Sequence, residues 1–259
     1  MPVRAPFPTK RLQIVSENKV IAASGQYTAP SGRIVTLGTN GEQLSAQTEL
    51  IDEEIPAKTV PRAEAYHYAD HVRQEDTISC ILGLRAENVQ GEILALNFAN
   101  ANVAGGGYIL GGDAQEESLC RNSLLYAAIA PHSEYYHYHR MHPSPLYSDR
   151  MLYSPNVPII RSADGELLET PQMCSFLTSP AVNRRLARPW VSNEKIDAAM
   201  QRRIEKIVVF AAKRKPSVLL LGAFGCGVFG NKRETVFPMM EAAVTRYLPQ
   251  EIRVIFPLP

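Results

Sequence analysis

Two stretches of this sequence share one arrangement, and it limits the possible folds more than any other feature. Each is a strand-length, nearly unbroken apolar run, EILALNFA over 92–99 and SVLLLGAF over 217–224. Each then enters a glycine-rich loop and a helical pattern. A strand that is apolar on both faces needs cover on both faces, as in the interior of a sheet layered between helices. The chain is therefore expected to be α/β.

The remaining pattern supports that class. Periodicity predicts helices over 9–24, 75–88, 115–129, 193–213 and 233–248. Thr9 is the candidate cap of the first and Gly25 its stop. Ser192 or Asn193 opens the fourth, and Pro238 interrupts the last. YTAPSGRIVTLG predicts a hairpin turning at Pro30-Ser31-Gly32. Strands are predicted over 63–68, in short pieces around Ala163-Asp164-Gly165, over 173–182 and over 252–258. Residues 40–62 fit no element, and 130–150, rich in Tyr, His and Pro, read as irregular. With no repeat or linker, one domain over 1–259 is expected, with 1–62 as an accessory segment.

Charge excludes some functions. Lys and Arg number 27 against 26 Asp and Glu, so the chain lacks the broad positive field of a non-specific nucleic-acid binder. A polyanion would have to be held by local geometry, and no stable nucleic-acid complex is expected. No apolar run reaches the roughly 18 residues of a membrane span. No CxxC pair links Cys80, Cys120, Cys174 and Cys226. A cytoplasmic protein with reduced thiols is expected. His132, His137, His139 and His142 match no ligand spacing, so no metal is expected. Trp190 is expected to be a packing residue.

The first glycine loop holds Asn100, then Gly105-Gly106-Gly107, and leads to Gln115-Glu116-Glu117 at a helix start. Three glycines let backbone N–H groups approach a ligand closely, and a helix N-terminus favours an anion. The second loop, Gly225-Cys226-Gly227-Val228-Phe229-Gly230, has the GxGxxG spacing. A dinucleotide fingerprint would need an acid about 20 residues on, at the end of the next strand. The next strand here, IRVIFPL, carries none at that end. Two strand-end loops instead suggest two jaws on one diphosphate, with Phe229 either stacking on a base or anchoring the loop. Glu116 and Glu117 admit two readings. Asp113-x-x-Glu116 resembles a capping box, and acids suit a first turn. Alternatively, one carboxylate handles a glycosidic oxygen while the other holds sugar hydroxyls.

The glycine triplet, seven residues and then Gln-Glu-Glu resemble the signature of poly(ADP-ribose) glycohydrolases. LALNFANANVAGGGYILGGDAQEESLCRNSLLY, MLYSPNVPIIR with DGELLE, and LLLGAFGCGVFGN resemble blocks of the microbial-type family in the same order. YTAPSGR resembles its early hairpin. The resemblance implies a macrodomain-like three-layer α/β/α fold with a mixed central sheet and N-terminal helical additions. It implies hydrolysis of the ribose–ribose bond of poly(ADP-ribose) to release ADP-ribose, without metal or cofactor. Glu117 would be the acid and base. Glu116 and Asn100 would hold the ribose. The two glycine loops would hold the diphosphate, and Phe229 would stack near adenosine. Gln115 and Phe224 belong to the same two motifs. Val103-Ala104, Phe224 and Lys232-Arg233 depart from the family's usual Asn-Pro, Trp and Asp-Pro. A mono-ADP-ribosyl hydrolase and a non-catalytic ADP-ribose reader are the alternative functions.

Overall fold

The computed structural model describes residues 9–52, 55 and 64–259. In chain order its helices are α1 (Thr9–Ser24), α2 (Gly41–Gln47), α3 (Thr77–Ala86), α4 (Gln115–Asn122), α5 (Leu125–Ile129), α6 (Ser133–Met141), α7 (Arg184–Ala187), α8 (Asn193–Arg214) and α9 (Arg233–Tyr247). The strands are β1 (Gln26–Thr28), β2 (Ile34–Thr36), β3 (Glu49–Ile51), β4 (Val72–Arg73), β5 (Ile93–Phe98), β6 (Met151–Arg161), β7 (Leu167–Ser179), β8 (Val218–Leu220) and β9 (Arg253–Pro257).

Among the described residues, seven strands form one mixed sheet in the order β3-β6-β7-β5-β8-β9-β4. β6 pairs antiparallel with β3 and β7, and the strands from β7 through β5, β8 and β9 to β4 run parallel. The apolar run of β5 divides between two cores by strict alternation. Leu94 and Leu96 face the core made with α8 and α9. Ile93 and Ala95 face the core made with α2 to α6. In α8, Ile196, Met200, Ile204, Ile207 and Val208 fall at helical spacing on the buried side. This is the three-layer, mixed-sheet fold the sequence implied.

α1 spans the predicted residues and stops at Gly25, whose φ is +67°. The hairpin closes where the Gly32 N–H donates to Ala29 O at 2.8 Å. Five expectations are corrected. Residues 64–67 form no strand, and a 3-10 turn follows at Tyr68–His71; residue 63 and the Thr9 side chain lie outside the described residues. The helix expected over 115–129 breaks at Ser123, which turns extended and bridges to Ile159, while the Leu124 N–H donates to Pro158 O at 3.0 Å. The edge of β6 beyond its pairing with β3 takes those residues from the helix. Within 130–150, α6 forms because Tyr135, Tyr136 and His139 bury one helical face. The short strands of 151–182 are one long hairpin, β6–β7, and the 173–182 strand is its second arm. Within 40–62, which fitted no pattern, Asn40 and Gln43 make a reciprocal capping box for α2.

Candidate active site

The site begins with how α4 meets β5. β8 pairs with β5 only as far as Ala95, which leaves the backbone of Leu96 and Phe98 open on that side. The Gln115 side chain fills the gap. Its Oε1 accepts from the Phe98 N–H at 2.9 Å, and its Nε2 donates to Leu96 O at 2.8 Å. One amide thus pins the N-terminus of α4 to the strand end. The expected capping box is absent: Ala114 is the cap residue, and Asp113 instead pairs with Arg121 and with Arg11 of α1.

Pinned there, the two glutamates meet different surroundings. Glu116 is 3% exposed. Its Oε1 accepts from Asn97 Nδ2 at 3.2 Å and its Oε2 from the Asn100 N–H at 2.8 Å. Burial outweighs these donors and pushes its carboxyl up to about 8, with the neighbouring Glu117 adding to the rise. Burial therefore overcomes the helix N-terminus at this residue. Glu117 Oε1 accepts from the Gly107 N–H at 2.8 Å, and its Oε2 is shielded from solvent with no partner among the described residues.

The glycine triplet packs directly behind this pair. At Gly106, with φ of +56°, a Cβ would stand 2.5 Å from Glu117 Oε1 and 3.1 Å from Glu116 Oε2. The Gly105 N–H also serves Glu116, and the Gly106 N–H donates to Val103 O at 3.1 Å. The amides of Gly105, Gly106 and Gly107 are thus engaged within the protein.

A cavity of about 620 Å³ opens in front. It is lined by Asn100, Gln115, Glu116 and Glu117 on one side and by Gly225, Cys226, Gly227, Val228 and Phe229 on the other. The two loops, far apart in sequence, therefore face each other. Asn100 Oδ1 is occupied by the Asn102 and Val103 amides at 2.9 and 3.1 Å. Phe224 is fully buried behind the wall, 5.6 Å from the Phe98 ring. Gly230 and the glycine triplet lie outside the lining. Phe229 is half-buried, its ring 6.0 Å from that of Tyr147.

Sequence reasoning missed Asn97 and Asn231. Asn97, on β5, also donates to Thr178 Oγ1 at 3.1 Å. Asn231 Nδ2 donates to Val182 O at 2.7 Å and Gly225 O at 3.0 Å, tying the second loop down. A polar residue inside or just after an apolar strand was the available signal, since a buried amide needs partners. Trp190, expected to pack, is 88% exposed. Among the described residues, no group of three His, Cys, Asp or Glu side chains is placed to share a metal ion. No described helix is long and apolar enough to cross a membrane.

Fold and site together define a macrodomain-like α/β/α protein with a paired-carboxylate cavity at the end of its central strands. The family profile for the microbial-type poly(ADP-ribose) glycohydrolase catalytic domain matches residues 16–162, and the chain belongs to that family. It is 32% identical to the poly(ADP-ribose) glycohydrolase of Thermomonospora curvata, solved with the inhibitor ADP-HPD. That likeness covers 96% of this chain and 92% of the other with a TM-score of 0.82. The Deinococcus radiodurans enzyme, solved with ADP-ribose, is 35% identical over 72% of this chain and 76% of its own, with a TM-score of 0.66. No curated protein matched the sequence.

Proposed function

We propose that this chain hydrolyses the ribose–ribose O-glycosidic bond of poly(ADP-ribose), with Glu117 as acid and base. The observation that carries the reading is the contrast between the two carboxylates. Both oxygens of Glu116 are held by donors, whereas Glu117 is fixed by one oxygen and has Oε2 unpartnered. A group that must give and retake a proton needs an oxygen not already committed to a donor of the protein.

In this mechanism Glu117 protonates the oxygen that leaves with the neighbouring ribose as the C–O bond breaks. The carboxylate so formed takes a proton from water as that water adds to the anomeric carbon. One bond to oxygen breaks, one forms, and Glu117 ends protonated as it began. Glu116, raised by burial, holds hydroxyls of the ribose being cleaved, with Asn100 lining the same cavity. The second loop holds the diphosphate through its backbone, and Phe229 bounds the adenosine end. Four free cysteines, three of them buried, suit the reducing cytoplasm.

The test is incubation with poly(ADP-ribosyl)ated and mono(ADP-ribosyl)ated protein, following released ADP-ribose. Release from the polymer is expected. Release from the mono-modified protein alone moves the substrate to single adducts, and release from neither overturns the hydrolase reading.

A further inference from the structure

The second loop is flanked by cations that no carboxylate pairs with among the described residues. Arg233 lines the cavity. Arg185 backs the loop: its N–H donates to Phe229 O at 3.1 Å, and a Cβ on Gly230 would lie 3.4 Å from its Nε. Arg188 follows three residues later and is exposed. Arg185, Arg188 and Arg233 form no ion pair among the described residues, whereas the adjacent Arg184 is held by Asp197.

The same segment exposes its apolar side chains. The Arg188 N–H donates to Arg184 O at 3.0 Å and the Val191 N–H to Ala187 O at 2.9 Å, so α7 passes into a hydrogen-bonded turn over residues 188–190. Leu186, in α7, and Trp190, in the turn after it, are 62% and 88% exposed. Val228, at the cavity's lip, is 73% exposed. An indole, a leucine and guanidiniums with no ion pair among the described residues thus lie exposed on the segment that Arg185 ties to the second loop.

We infer that the exposed face of α7 and of the turn after it, with Arg185, Leu186, Arg188 and Trp190, is a second subsite for the ADP-ribose unit joined to the adenosine ribose of the one in the cavity. The inference rests on the polymer reading of the cavity. Each unit of such a polymer presents a purine and a diphosphate. The face presents a flat ring for the base and guanidiniums that match phosphate oxygens in pairs. The chain's overall charge is close to neutral, so this local cluster is what would draw a polyanion to the cavity side.

Trp190 is the chain's single tryptophan, so its emission reads this face alone. Glu117→Gln protein, expected to bind with little turnover, is titrated with single ADP-ribose and with poly(ADP-ribose) oligomers. Oligomers are expected to quench the emission, and single ADP-ribose to leave it unchanged while calorimetry records its binding. Against polymer, Trp190→Ala is expected to raise KM about tenfold with kcat retained, within the range for one lost base–aromatic stack. Arg188→Glu is expected to raise KM and flatten its salt dependence. Equal quenching by single ADP-ribose, or an unchanged polymer KM in Trp190→Ala, overturns the subsite while leaving the cavity reading intact. A KM change confined to polymer attached to protein, absent with free polymer, makes the face a protein-docking surface and also overturns it. Wild-type protein that neither binds nor cleaves polymer removes the cavity reading itself.

Discussion

The Gly107 N–H donates to Glu117 Oε1 at 2.8 Å, so the first glycine loop acts on the carboxylates directly. Gly106, one residue earlier, leaves no room for a Cβ between the backbone and either glutamate. The loop is therefore a mould for the acid pair as much as a wall for a ligand, and this has a direct mutational consequence.

Gly106→Ala should abolish most activity. The new Cβ would fall 2.5 Å from Glu117 Oε1, and φ of +56° is strained for alanine. The carboxylate must move, and small displacements of a catalytic group cost on the order of 10²-fold. Turnover measured beside thermal melting separates a misplaced acid from a lost fold. Wild-type turnover in a folded Gly106→Ala protein would contradict the mould.

Glu117→Gln keeps size and the bond from Gly107 but cannot cycle a proton. The rate should fall by at least about 10²-fold, the lower range for general acid–base catalysis. ADP-ribose affinity by calorimetry should stay within a few-fold of wild type. If Glu117→Gln turned over normally and Glu116→Gln did not, the two roles would exchange.

Glu116 predicts a pH dependence of stability. Its folded value is about 8, above its ordinary carboxyl value, so between those pH values the folded state binds more protons than the unfolded state. Its contribution is complete below the ordinary value and is lost as pH rises to about 8. Melting temperature should therefore decline over that interval more steeply in wild type than in Glu116→Gln. Parallel curves for the two proteins would show that burial does not hold the proton on Glu116.

The sequence showed the sheet because β5 and β8 carry apolar runs that no exposed element could afford, and α8 shows its buried face at clear helical spacing. It misjudged elements whose state is decided by distant partners. Ser123 leaves its helix for the edge of β6, and α6 is helical because Tyr135 and His139 find a core to enter. At the site, the glutamates and both glycine loops were legible as motifs. Gln115's bridging of α4 to β5 was not, because it depends on β8 stopping at Ala95's level. Asn231 was missed for the same reason: its partners, Val182 O and Gly225 O, come from two separate stretches.

The second loop gives two glycines with opposite requirements. At Gly225, φ is +71° and a Cβ would stand 2.5 Å from Ala181 Cβ and 2.7 Å from Asn231 Nδ2. Gly225→Ala should therefore lower the melting temperature, through strain and through loss of the Asn231 tie. At Gly227 a Cβ would meet no protein atom within 4 Å, and the residue lines the cavity. Gly227→Val should melt like wild type yet bind ADP-ribose much more weakly, because its side chain occupies the space where a diphosphate would approach the backbone. Phe229→Ala belongs between them. The ring packs on the core and on Tyr147 but also lines the cavity, so it should lose stability and, if it stacks on the base, roughly 1–3 kcal/mol of binding. Calorimetric titration of ADP-ribose beside thermal melting tests all three. Unchanged affinity in a folded Gly227→Val protein would place the diphosphate away from this loop.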